Sequence, residues 1–408
     1  MKEPNTLPAR IWILTLSAFA IGTAEFLIAG ILPQVAESLG VTTGQAGNLI
    51  TAYALAIVFG GPLLTLWLAR FEKRRILLAL MVLFVVANLI AAFSTDYVTL
   101  IVSRILAGLT QGPFYGIGAV VATRMVSDKM AGRAVGQMFA GLTLANVLGV
   151  PVGAWIGNAF DWHTTFLVVA GLGLLSMLAI ALVIERQPRE SATSISQQLA
   201  AFRSWNLLAS LLFTVLGWAG FMTLYGYIAP LAEEVAGFER SAITGVLVVV
   251  GLGLVLGNNI GGHSADRNLR RSLLVWPLLT ILALLLVGVL EHYTWPFLIA
   301  TFLFGVATFA NLPAMQMRVM KYGRQAPELA ATANISAFNI ANALGGVIGG
   351  AVVDSQLGPA ALPFFAALVP ALGLLFILTQ ERRGRPRALG LLFILTQERR
   401  GRPRALAC

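Results

Sequence analysis

This chain predicts an all-α, polytopic membrane protein with twelve transmembrane helices in two pseudo-symmetric six-helix bundles, and three observations carry that prediction. The first is composition. Of 408 residues, 58% are hydrophobic and 11% are charged, whereas soluble domains carry about 25% charged residues. The second is a series of long apolar runs at 11–33, 44–67, 76–94, 98–123, 132–159, 163–184, 206–229, 241–262, 272–290, 295–317, 329–353 and 360–380. Each is close to the roughly 20 residues a helix needs to cross a bilayer. None alternates with period two, so a β-barrel is excluded, and helices alone satisfy the backbone in lipid. The third is charge placement. With the N-terminus cytoplasmic, 26 of the 28 Lys and Arg residues fall on inner segments, which predicts both termini inside.

The first run contains Ala18-Phe19-Ala20, which superficially resembles a cleavage site, but its apolar character continues to Pro33. A retained span is expected there. Acidic residues Glu37, Asp96, Asp161, Glu233, Glu234, Glu239, Glu291 and Asp354 mark the outer loops. Seven of the eight Trp residues lie near span ends, as interfacial anchors do, and Trp218 alone is mid-span. The net charge of +10 is therefore an orientation signal, and no nucleic-acid partner is expected. One Cys, at position 408, and three His residues exclude disulfide scaffolds, cysteine-ligated zinc and iron–sulfur clusters. No metal or cofactor is expected, only the proton as coupling ion.

The hydrophilic stretch 185–205 divides the spans six and six, giving an N-terminal bundle over 1–184 and a C-terminal bundle over 206–388. A repeat crosses it. Pro33, Arg70 and Gly108 match Pro230, Arg267 and Gly305 at an offset of 197, and Ala145–Gly149 matches Ala341–Gly345 at 196. Parallel halves of this kind place a substrate site at their interface near the midplane. Residues 372–388 recur unchanged at 389–405. Evolutionary repeats diverge, so the tail 389–408 reads as an assembly scar or a very recent duplication. Its apolar part, about ten residues, is too short to span.

Gly262-His263-Ser264-Ala265-Asp266-Arg267 with Arg270 and Arg271 joins spans eight and nine. This resembles the loop signature of the major facilitator superfamily, which implies a gate whose carboxylate works near helix N-termini. The first-half counterpart, Arg70-Phe71-Glu72-Lys73-Arg74-Arg75, has Ala69 where the second half has Asp266. Glu72 is the candidate to compensate. Arg70, Glu72, Arg74, Gly262, Asp266, Arg267 and Arg271 are thus the expected gating residues. In span four, Arg104 and Gly108 resemble the superfamily's intramembrane arginine motif. Gly149-Val150-Pro151-Val152-Gly153 resembles the glycine–proline motif of its antiporters, with Val150 separating the usual adjacent pair. That resemblance implies close packing of spans five and eight through Gly149, Pro151 and Gly153, echoed by Gly345 and Gly349.

Glu25 is the one carboxylate deep in a span, and an ionisable group there is a functional candidate by default. Together the stretch around Glu25, the Arg104 motif and Gly149–Gly153 resemble the twelve-helix drug:proton antiporters that include sugar-efflux and chloramphenicol-efflux proteins. The resemblance implies proton coupling through Glu25 and Arg104. It also implies a cavity lined by spans one, four, seven and ten, nominating Phe26, Gln111, Phe114, Tyr115, Trp218, Met222, Tyr225, Phe309 and Asn311. Asn146 and Asn342 on spans five and eleven join them. Apart from Glu25 and Arg104 this set is uncharged, which suits neutral or weakly polar organic solutes. The expected protein is a monomer in a bacterial cytoplasmic membrane that exports small organic molecules against protons. A narrow-range sugar or nucleoside exporter or facilitator stays open, and a membrane-embedded enzyme or receptor is a distant third. It is not expected to be an enzyme, since no metal-spaced cluster occurs within the spans.

Overall fold

The computed structural model describes residues 7–41, 43–186, 195–239, 242–353 and 355–380. Part of the linker (187–194) and the whole duplicated tail (389–408) lie outside the described residues.

Twelve spans emerge, numbered here in chain order. α1 is Ile11–Leu39 and ends at Gly40, whose φ of 62° lets the chain turn in the left-handed region. α2 runs from Thr43–Leu55 through a π-helical turn at Ala56–Gly60 into Gly61–Leu68. α3 is Lys73–Ala92, α4 is Tyr97–Arg124 and α6 is Trp162–Val183. α5 comprises Ala131–Leu144, a second π-helical turn at Ala145–Gly149, and Val150–Ala159, whose first turn holds Pro151. In the second half α7 is Trp205–Tyr225, α10 is Thr294–Tyr322 and α11 is Pro327–Val353. α12 is Pro359–Gln380.

α8 and α9 share one helical run, Ile243–Leu290, of 48 residues. At about 1.5 Å per residue it is more than twice as long as a hydrocarbon core is thick, so it makes two crossings. The sequence predicts a loop over 263–271; the structure instead keeps helix on both sides of one non-helical residue, Asn268 (φ −160°, ψ 92°). The reason is local. Asn268 Oδ1 accepts from Arg271 N at 2.9 Å, capping α9, and its carbonyl accepts from Ser272 Oγ at 3.1 Å.

Leu, Val and Phe side chains form the outer belt, as on α9, where Leu278, Leu282 and Val289 are exposed. Small residues let the spans approach inside it. Gly149, Gly153 and Gly157 form an every-fourth stripe that meets Thr23, Leu27 and Ile31 of α1. Gly345 and Gly349 meet Ala219, Thr223 and Tyr227 in the second half. This corrects the expected packing of spans five and eight through Gly149 and Gly153. Gly132 and Gly136 make that contact instead, against Asn258, Gly262 and Asp266. Two faces of α5 are involved: Gly132, Gly136 and Val147, the last against Gly251, meet α8, while Gly141 and the stripe beyond it meet α1.

Candidate functional site

Ten of the nominated cavity residues converge where the two halves meet. Glu25, Phe26, Gln111, Tyr115, Asn146, Trp218, Met222, Tyr225, Phe309 and Asn342 line one cavity of about 60 Å³. Phe114 and Asn311 do not. Phe114 turns its ring edge-on to Tyr115, 6.3 Å between centroids, and is buried among helices. Asn311 is also fully packed. On α4 Tyr115 takes the cavity-facing position, and its neighbour Phe114 packs into the helix interface beside it.

Sequence reasoning missed seven lining residues: Phe139, Leu142, Phe221, Leu312, Ile335, Phe338 and Asn339. Phe139 stacks on Tyr115 at 5.3 Å, and Phe221 and Phe338 each sit 5.0 Å from Trp218. In spans apolar on every side, no periodicity separates these aromatics from lipid-facing ones. The polar groups are mainly amides. Trp218 Nε1 donates to Asn342 Oδ1 at 2.9 Å, fixing α7 to α11 across the C-terminal bundle. Organic ligands of drug size need cavities of about 300–1,000 Å³. A volume of about 60 Å³ therefore has to expand before it holds one.

Glu25 is the carboxylate of this lining. Its Oε2 accepts from Gln111 Nε2 at 2.8 Å, and Gln111 Oε1 accepts from the Tyr53 hydroxyl at 2.6 Å. The guanidinium of Arg104 lies 4.3 Å from the Tyr53 ring centroid, and its Nη2 donates to the backbone carbonyl of Glu25 at 3.4 Å. The route from Arg104 to the carboxylate is thus indirect, through an amide and a phenol. Arg104 is 1% exposed, and its Nε and Nη1 have no hydrogen-bond partner among the described residues. Its charge rests on the tyrosine face and the nearby carboxylate. Tyr53 carries no sequence signal, being an ordinary tyrosine in an apolar run.

One end of the bundle is sealed across the two halves, and it is the end that carries Lys73–Arg75, Arg124, Lys129 and Arg267–Arg271. Asp266 accepts from Gly132 N and, at 3.2 and 3.0 Å, from Arg133 N and Nε, so it sits on the first turn of α5. On the other side Lys73 pairs with Glu328 at 2.9 Å, with Arg124 at 3.9 Å from the same oxygen. Deeper in, Thr65 and Thr332 share a hydrogen bond of 2.9 Å, and Ser336 Oγ donates to the carbonyl of Ile57 at 3.2 Å. Glu72, expected to replace the absent acid at position 69, instead caps its own helix by accepting from Arg74 N and Arg75 N. A carboxylate three residues before Arg75 reaches those amides more readily than another helix. The acid at that interface is Glu328, which sequence reasoning overlooked. Arg70 lies 4.7 Å from the Trp67 ring centroid, and Arg74 donates to the Ala181 carbonyl. Gly262 packs on the backbone of Gly132 and Arg133, while Arg267 and Arg271 are exposed.

Two six-span halves around a central cavity, with polar contacts between the halves at one end, are the architecture of a membrane transporter. The sequence profile of the Major Facilitator Superfamily matches residues 14–350, and the chain belongs to that family. It is 39% identical over 370 residues to the inner membrane transport protein YdhP of Escherichia coli, covering 91% of this chain and 95% of that one. It is 29% identical to a probable sugar efflux transporter of Helicobacter pylori over 366 residues, 90% of this chain and 93% of the relative. Among solved structures, the human organic anion transporter MFSD10 superposes with a TM-score of 0.74 at 14% identity, covering 90% and 99% of the two chains. The proton:xylose symporter XylE superposes at 0.73 with 12% identity, covering 91% and 94%. At such identities the likeness establishes the fold. The protein is a transporter and not an enzyme.

Proposed function

We propose that this protein is a proton-coupled antiporter that exports small, largely neutral organic molecules, drug-like or sugar-like. In this reading it works by alternating access in a bacterial cytoplasmic membrane, with both termini and the sealed basic end on the cytoplasmic side. The observation that carries it is Glu25. This is the carboxylate of an otherwise uncharged aromatic and amide cavity, and it is linked through Gln111 and Tyr53 to the buried Arg104. A carboxyl that is exposed to alternate sides as the cavity opens can take a proton from one and release it to the other. Aromatic faces suit apolar solutes, while the amides of Gln111, Asn146, Asn339 and Asn342 suit hydroxyls.

A narrower sugar exporter is the second reading, favoured by those amides and by the sugar-efflux relatives in Helicobacter pylori. A facilitator would have no use for a titrating group in the cavity. The test is transport by purified protein in proteoliposomes with an imposed proton gradient, over a panel of sugars and apolar organic solutes. Wild type should accumulate at least one of them against its gradient. Glu25→Gln should lose accumulation and keep substrate exchange. Full gradient-driven accumulation by that variant would remove Glu25 from the coupling.

A further inference from the structure

On the side of α8 and α9 turned away from the cavity, the two helices leave an open groove of about 690 Å³ at the basic end. Arg267, Arg271 and His263 line it, and among the described residues no carboxylate does. The adjacent acid, Asp266, is committed to Gly132 and Arg133. Arg267 and Arg271 are exposed, and among the described residues neither guanidinium has a hydrogen bond or ion pair. Deeper in, the Trp276 indole lies in the groove and donates to Ser264 Oγ at 3.0 Å. Below that level the walls become apolar. Leu256 and Ile260 on one side and Val275 on the other run into Leu252 and Leu279, all exposed along the outer surface of the spans.

The first half shows what these arginines do when the protein provides for them. Arg70 and Arg74 occupy the positions of Arg267 and Arg271 at an offset of 197. There Arg70 lies over Trp67 and Phe71, and Arg74 donates to the Ala181 carbonyl of α6. In the second half the same two positions are exposed, next to an apolar wall at the end of the two spans. A cationic fork at that end, an interfacial indole beside it and an apolar trough below match one class of molecule.

We propose that this groove binds a single anionic phospholipid, with its phosphate on Arg267 and Arg271 and an acyl chain along Leu256, Ile260 and Val275. Two uncompensated positive charges favour a lipid with net negative charge over a zwitterionic one, although both carry a phosphate. The trough favours a lipid over a free phosphate ester.

Native mass spectrometry of the full chain, stripped of lipid in detergent, tests this directly. Dioleoyl-phosphatidylglycerol or dioleoyl-phosphatidylcholine is added back, and the affinity of the first adduct is read from the titration. Phosphatidylglycerol should bind more tightly than phosphatidylcholine. R267Q/R271Q should weaken phosphatidylglycerol binding about thirtyfold, as two basic contacts to an anionic lipid imply. R267K/R271K should keep most of the affinity, because the charges remain and only the planar fork is lost. That variant separates loss of the site from loss of fold. R70Q/R74Q should bind as wild type. Equal affinity for the two lipids, or unchanged binding by R267Q/R271Q, would overturn the assignment. So would an equal loss in R70Q/R74Q, or displacement of the lipid by excess soluble glycerol phosphate.

Discussion

At the basic end, the turn between α8 and α9 meets the start of α5, and the loop after α2 meets the start of α11. The repeat relates these two contacts, since Asp266 corresponds to Ala69 at an offset of 197 and Glu328 to Gly132 at 196. In the first, the carboxylate comes from the turn and the helix contributes bare amides and the Arg133 guanidinium. In the second, the carboxylate is built into the first turn of α11, and Lys73 and Arg124 approach it from the other half. The polarity of the side chains is exchanged, yet each arrangement places an anion at a helix N-terminus, where the helix dipole favours it. Symmetry of the fold therefore constrains where negative charge sits and leaves open which strand of sequence carries it. The partners of the two carboxylates differ as well. Lys73 and Glu328 side chains are 7% and 12% exposed and Arg133 and Asp266 are 18% and 7% exposed, so burial is alike. What differs is that Asp266 also accepts from two backbone amides.

That difference predicts unequal consequences. The largest should follow Glu328→Gln, which leaves Lys73 charged and buried beside an amide. Breaking a buried pair by removing one partner costs about 3–5 kcal/mol. The sealed state should lose most of its advantage, raising the labelling rate of cysteines placed in the cavity of a protein with Cys408 replaced. The exchanged pair Lys73→Glu with Glu328→Lys should recover part of the loss. No recovery would show that shape, and not charge, closes this side.

A smaller effect is expected from Asp266→Asn, because the asparagine oxygen still accepts from Gly132 N and only the charge facing Arg133 is lost. About 1 kcal/mol is the scale of weakening hydrogen bonds that are kept with a neutral acceptor, read in the same labelling assay as a change of about fivefold. An effect as large as that of Glu328→Gln would mean the two contacts are equivalent after all.

Ala69→Asp sharpens the comparison further. It gives the first-half loop the acid that the second half has, but at an interface already supplied by Glu328. Like charges should weaken closure by about 0.5 kcal/mol. In a Glu328→Gln background the same change should help closure, since it moves the carboxylate from helix to loop. The same direction in both backgrounds would refute the exchange.

The smallest effect concerns the opposite end, where the halves differ again. Between α3 and α4, Ser94 and Asp96 are both hydrogen-bonded, and the Ser94 carbonyl also meets His163. Between α9 and α10, Glu291 is 3% exposed with Oε2 unpartnered among the described residues, and burial pushes its carboxyl up from 4.5 to about 7. A carboxyl that holds its proton more tightly in the folded protein stabilises most below pH 4.5. That contribution is lost as pH rises through about 7. Glu291→Gln should raise the melting temperature slightly at pH 8 and leave it unchanged at pH 4. A fall at pH 8 would show that the charged carboxylate is bound by a partner.

Several of these features are legible in the residues alone. Twelve crossings follow from run length, because a bilayer admits only helices of about 20 apolar residues. Glu25 stands out because a carboxylate deep in a span is costly enough to need a reason. Asp266 stands out because the repeat and its flanking arginines mark it. Hydropathy, charge and repetition are properties of the chain itself, so no packing is needed to read them. Tertiary structure decided the rest. It set which face of α5 meets α1, why Tyr115 lines the cavity and Phe114 does not, and that Gln111 and Tyr53 stand between Arg104 and the Glu25 carboxylate. It also supplied the acid of the first-half contact from Glu328, on the helix side of it. In a membrane the spans are apolar toward lipid and toward one another, so sequence carries almost no sign of inward or outward. Only the meeting of helices supplies that sign.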